Sequence, residues 1–184
     1  MAQAPIRKVI HSDFPAITHL AMSAFGPSEG PEIVRLISDL WVDVTVQPVL
    51  SLVATVDENI VGHIIFSNIR LTPPSQKVSA ALLAPLAVHP DFQSQRIGSR
   101  LITEGLQQLS DSGVNLIFVL GHPGYYPRFG FSAAGSKGFE APYPIPQRNA
   151  EAWMVRELQP GVIGNLGGRV ICADALADPK YWRE

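Results

Sequence analysis

The sequence runs to 184 residues, 46% hydrophobic and 16% charged, a composition that excludes a disordered chain and supplies the apolar side chains of one buried core. A net charge of −2 without any Lys/Arg cluster excludes a nucleic-acid surface, and a lone cysteine, Cys172, excludes an intramolecular disulfide and a cysteine-built zinc site. No run approaches the ~18 apolar residues that span a bilayer, and the start has no basic-then-apolar leader, so the expectation is a cytoplasmic protein without membrane contact, folded as a single domain over residues 1–184.

In chain order, the apolar run at residues 6–10 predicts a strand. Ser12 and Asp13 suit a helix cap, and Phe14, Ile17, Leu20, Ala21 and Phe25 follow at helical spacing. The Gly/Pro-rich stretch 26–31 is expected to interrupt that helix with a mobile loop before a second short helix marked by Ile33, Leu36, Ile37 and Leu40. Residues 49–56 and 60–71, β-branched and joined through Asp57-Glu58-Asn59, predict a hairpin. Residues 80–88 predict a strand that Pro85 forces into a bulge or an unpaired stretch, because proline has no N–H for the ladder. Ile97, Leu101, Ile102, Leu106 and Leu109 place one apolar face on a helix. Residues 115–120 predict a buried strand, with further strands from Phe131 and over 152–158. Val170 to Ala173 would form a short edge strand after a glycine-rich stretch. The core is expected over about 6–158, with 159–184 as a C-terminal strand and tail.

Two segments carry chemistry. In the first, Leu86, Ala87 and Val88 end a strand, and a turn through Gln93, Ser94, Gln95 and Arg96 leads into the helix at Ile97, Gly98 and Ser99. A helix N-terminus offers unpaired N–H groups and the positive end of a dipole, both suited to a pyrophosphate, while Gly98 allows close approach. Arg96 adds a charged donor. In the second, Gly121 to Gly130 compress Tyr125, Tyr126 and Arg128 into a turn behind a buried strand. A phenol of reference pKa about 10 can donate a proton to a departing thiolate of pKa about 8.5. Aromatic packing is the plainer role for the same cluster.

The first segment resembles the acetyl-coenzyme A motif of the GCN5-related N-acetyltransferases (GNAT), with Gln93 at its first position, Gly98 at its last, and Arg96 where a glycine is usual. The second resembles the family's Tyr-x-x-x-Gly-Phe motif through Tyr126, Gly130 and Phe131. The chain looks most similar to the YhbS-like branch. The resemblance implies an α/β acyl-CoA N-acyltransferase fold, a mixed, mainly antiparallel sheet of six to seven strands with helices on both faces. It implies acetyl-CoA as cosubstrate, with Leu86, Ala87 and Val88 holding the pantetheine arm as an added strand and the amides from Gln93 to Ser99 holding the pyrophosphate. It also implies direct attack by a primary amine, on a small molecule or a protein, with Tyr126 as general acid. No carboxylate lies in residues 80–88 to serve as base. Glu29, Glu32, His63 and His122 are the alternatives, each more often structural, beside a water relay.

Two rivals remain open. Gly26-x-Ser28-x-Gly30 matches a serine-hydrolase pattern but lacks the strand that should precede it. A catalytically silent acetyl-CoA sensor would keep the binding site without turnover. No metal is expected, since the five histidines show no pair at ligand spacing on a helix. A homodimer through the last strand is compatible with the sequence.

Overall fold

The computed structural model describes residues 3–75 and 77–183. Its first strand, β1 (Ile6–Lys8), leads into the helix α1 (Phe14–Val42). The hairpin β2 (Leu50–Val56) and β3 (Asn59–Thr72) is followed by β4 (Ala80–Val88), helix α2 (Ile97–Asp111) and β5 (Leu116–Leu120). Two-residue strands β6 (Ser132–Ala133) and β7 (Phe139–Glu140) come next, then β8 (Trp153–Glu157) and β9 (Gly168–Ile171). The sheet runs β1-β2-β3-β4-β5-β8-β6, with β9 against β3 and β7 beyond it. Only β4–β5 and β7–β9 are parallel. Nine strands among the described residues exceed the expected six to seven, and the surplus lies in β6 and β7, too short for alternation to be read.

Strand alternation splits the core into two layers, one on each face. Val53, Ile65, Leu82, Leu116 and Phe118 face α1 together with Trp153 and Trp182. Leu52, Ile64, Phe66, Leu83 and Ile117 face α2 through its Leu101, Ile102 and Leu106. Helix α2 sits very close to the sheet: a Cβ at Gly105 would lie 2.2 Å from the Phe66 ring, and one at Gly62 would lie 2.7 Å from Ile97. These two glycines fix the height and position of the α2 N-terminus.

The expected bulge at Pro85 is present. Ile64 pairs with Leu86 and Phe66 with Leu83, so Ala84 and Pro85 together oppose Ile65. On its other side β4 pairs with β5 only through Ala80–Leu116, Ala81–Ile117 and Leu82–Phe118. Beyond Leu82, β4 stays with β3 while β5 stays with β8, and a wedge opens between them.

Three expectations are corrected. The stretch 26–31 is not a loop: two helical segments meet at Gly26, whose φ of 73° and ψ of −176° make a one-residue hinge within α1. Pro27 begins the second segment, where its missing N–H would have had no partner in any case. Strand β9 is not an edge, being flanked by β3 along Arg169 to Ile171 and by β7 at Gly168 and Arg169. Asp13 does not point its carboxylate forward into α1. It accepts the Ile10 N–H at 2.9 Å and grips the Arg7 guanidinium at 2.7 and 2.9 Å, and Arg7 holds its carboxyl below the usual carboxylate range.

The chain end is tied down by specific bonds. Asp43 and Thr45 accept the N–H groups of Ala175 and Asp174, each at 2.9 Å. The Trp182 indole donates to the Leu176 carbonyl at 2.9 Å and stands edge-on to Trp153.

Candidate active site

The turn between β4 and α2 is built from two left-handed residues that are not glycine, Ser94 (φ 62°) and Arg96 (φ 64°). Residues that alternate in hand turn successive N–H groups toward one concavity, an anion nest, and here the nest runs straight into the N-terminus of α2. Arg96 takes the conformation a glycine would take, so its side chain is added without unwinding the loop. Side chains lock the turn from within: Gln93 donates to the Val88 carbonyl at 3.2 Å and Gln95 to the Asp91 carbonyl at 3.1 Å. Of the ten residues singled out for cofactor contact, all but Ala87 and Gln95 line one cleft of about 490 Å³. Ala87 is buried beside His63 on β3, and Gln95 is occupied by its own turn.

A second, larger cleft of about 730 Å³ fills the wedge between β4 and β5. Its floor is the bulged part of β4, and its far wall is the segment after β5. Leu86 and Tyr125 line both clefts, which therefore adjoin at these two residues. Tyr126 lines the larger one, with its ring pressed onto Gly121, where any Cβ would lie 2.4 Å from it. Tyr125 and Phe131 pack edge-on against that ring. The turn is closed by Gly130 (φ 84°), with Arg156 donating beneath it to the Phe129 carbonyl.

A sequence profile described as an acetyltransferase (GNAT) domain matches residues 5–134. The chain belongs to the GNAT acetyltransferase family. It is 39% identical over 164 residues to the uncharacterized N-acetyltransferase YjhQ of Escherichia coli K12, covering 89% of this chain and 88% of YjhQ. It is 30% identical over 166 residues to YhbS of the same strain, covering 90% and 93%. The crystal structure of E. coli YhbS in complex with CoA superposes with a TM-score of 0.85 at 28% identity, over 97% of this chain and 94% of that one. A GNAT acetyltransferase of Brucella melitensis in complex with acetyl-CoA gives 0.74 at 27% identity, over 96% and 99%.

The GNAT motifs thus line two adjoining clefts, and of the suggested bases only His122 is among the described residues lining either. Among the described residues no Asp or Glu lines the larger cleft. Glu29 stands outside it, and Glu32 Oε1 lies 3.4 Å from Lys180 Nζ. His63 is buried within the sheet, bonded to Ser51 Oγ at 2.9 Å, and burial pushes it down to about 4. His122 does line the cleft, but its Nδ1 accepts the Gly124 N–H at 2.9 Å. A neutral ring so held carries its proton on Nε2 and is a donor. Ser28, of the hydrolase-like pattern, sits in the first turn of a helical segment with no strand before it.

Two residues that the sequence placed in the second segment without a role also line the clefts. The Tyr125 hydroxyl reaches Gly98, where a Cβ would lie 3.1 Å from it, so it sits at the junction of the two clefts. Arg128 lies 4.6 Å from the Tyr125 ring centroid and lines the anion cleft beside Arg96. Their only sequence signal is membership of the turn that carries Tyr126.

Proposed function

We propose that this GNAT protein transfers the acetyl group of acetyl-CoA to a primary amine, with the pyrophosphate at the α2 N-terminus and Tyr126 as general acid. The observation that carries the reading is the adjacency of the two clefts through Leu86 and Tyr125, one lined by the turn into α2 and the other by Tyr126 and the opened part of β4. The fit is good on this chain's own terms: the nest N–H groups and Arg96 suit a doubly charged diphosphate, and residues 83–88 have a ladder side that β5 leaves open. Bound acetyl-CoA would supply an activated thioester. Leu86 and Val88 align the arm along β4, Tyr126 donates its phenolic proton toward the leaving sulfur, and the closed turn at Gly130 keeps that hydroxyl in place. With no carboxylate in the cleft, water is the proton acceptor for the incoming amine.

Titration calorimetry with acetyl-CoA on the wild type and on Gly98→Trp tests the binding half. Saturable binding is expected in the wild type, with at least ~100-fold weaker binding in the folded mutant, since an indole would fill the ground the diphosphate needs. For the chemistry, Tyr126→Phe should lower kcat by ~100-fold or more while acetyl-CoA affinity changes little. An unchanged kcat removes Tyr126 from the proton transfer. A sensor without turnover would bind acetyl-CoA and release no thiol with any amine.

A further inference from the structure

The amine end of the cleft is closed by a part of the chain that the GNAT profile does not reach. Leu176 and Tyr181 line it from the tail, opposite Phe25, Ile33 and Leu36 on either side of the α1 hinge. The tail is held there by Asp43, Thr45 and the buried Trp182. Among the described residues no Asp, Glu, Lys or Arg lines this cleft, and its polar side chains are His122, Asn149 and tyrosines. At the rim, Glu32 is engaged by Lys180, which also contacts Asp178 at 3.7 Å and lies over the Tyr181 ring at 4.9 Å.

We infer that the acceptor is a small primary amine with a single cationic centre and an aromatic or branched apolar body, an arylalkylamine in class, selected by the wall of Leu176 and Tyr181. This rests on the acetyltransferase reading above. The attacking amine must shed its proton in any case, and desolvation in an apolar cleft favours its neutral form. A polyamine or an aminoglycoside would bring further ammonium groups into the same cleft without a carboxylate among its described lining residues to meet them. An apolar body gains where those charges lose, by covering Phe25, Ile33 and Leu176.

The test uses the full chain and measures thiol release from acetyl-CoA with phenylethylamine and with spermidine, alongside calorimetry of acetyl-CoA and of each amine on the CoA-loaded protein. Phenylethylamine should show a kcat/KM at least about tenfold above that of spermidine. Tyr181→Asp, which places a carboxylate on a half-buried part of the wall, should cut that ratio at least about tenfold, chiefly through KM for phenylethylamine. Tyr181→Phe should keep it. A preference for spermidine, a ratio unmoved by Tyr181→Asp, or a CoA-loaded protein that binds neither amine overturns the inference. Failure to bind acetyl-CoA at all is a different result: it removes the acetyltransferase reading, and this inference with it.

Discussion

Arg96 holds a left-handed backbone that disfavours any residue with a Cβ by roughly 1–2 kcal/mol, and nothing in the fold requires an arginine for the turn itself. Its presence at such a position is best explained by the guanidinium over the anion cleft. Arg96→Gly separates the two contributions. Relief of strain, less the extra entropy of an unfolded glycine, should stabilise the protein by about 0.5–1 kcal/mol, a rise of a few degrees in Tm. Acetyl-CoA affinity should fall about tenfold with the loss of one charge-assisted contact. Thermal unfolding with calorimetry reads both, and a Tm that does not rise would show that the loop accommodates arginine without penalty. Much of this residue-scale detail was legible, since Gly98 and Tyr126 sit in recognisable spacings. The roles of Tyr125 and Arg128 were not, because Tyr125 meets Gly98, 27 residues earlier in the chain, and Arg128 takes its place over that Tyr125 ring, contacts that only the folded turns create.

At the scale of elements, the anion nest depends on where α2 rests, and two glycines set that. Gly105→Ala would drive a methyl into the fully buried Phe66 ring, and the overlap outweighs the ~1 kcal/mol that alanine gains in helix propensity. A net loss of about 1–3 kcal/mol is expected, with weaker acetyl-CoA binding as α2 lifts. Gly62→Ala meets single methyl groups of Ile97 and Leu101, at 2.7 and 2.8 Å, in place of a ring at 2.2 Å, and should lose less. Chemical denaturation of the two variants checks the order, and equal losses would mean that Phe66 can move aside. The physics of proline explains both what sequence showed and what it hid at this scale. Pro85 inside an apolar strand announced a bulge because a missing donor has one meaning there. Pro27 and Pro31 read as breakers, yet Pro27 opens the second helical segment, where its missing N–H costs nothing, and the helix runs on through Pro31, so a hinge looked like a loop. Strands of two residues left no pattern, and the neighbours of β9 on both sides come from distant parts of the chain.

For the whole molecule, the buried His63 makes stability sensitive to mild acid. Burial depresses its folded value to about 4 from 6.5 in the unfolded chain, against a smaller opposing pull from Asp13. Between those values the unfolded chain takes up a proton that the folded one refuses, so stability is full above about pH 6.5 and declines toward pH 4, by on the order of 3 kcal/mol at the lower end. Asp13 has the opposite linkage: its contribution is present above its unfolded value of 3.8 and is lost only as pH falls through a still lower folded value. The two windows therefore do not overlap. Urea unfolding from pH 7 to 4.5 should show the decline in the wild type and a flatter course in His63→Gln. Parallel curves would assign the acid sensitivity elsewhere.

The tethering of residues 174–182 also puts the two ends of the cleft on different clocks. Everything the turn into α2 needs, from β2 through α2, has been synthesised before β5 exists, whereas Leu176, Tyr181 and Trp182 follow the end of α2 by more than 60 residues. Their anchors, Asp43 and Thr45, must wait some 130 positions for them, and closing so long a separation is slow compared with sealing a hairpin. On the proposed reading, a nascent chain would acquire the means to grip a diphosphate well before it acquires the wall that chooses what to acetylate.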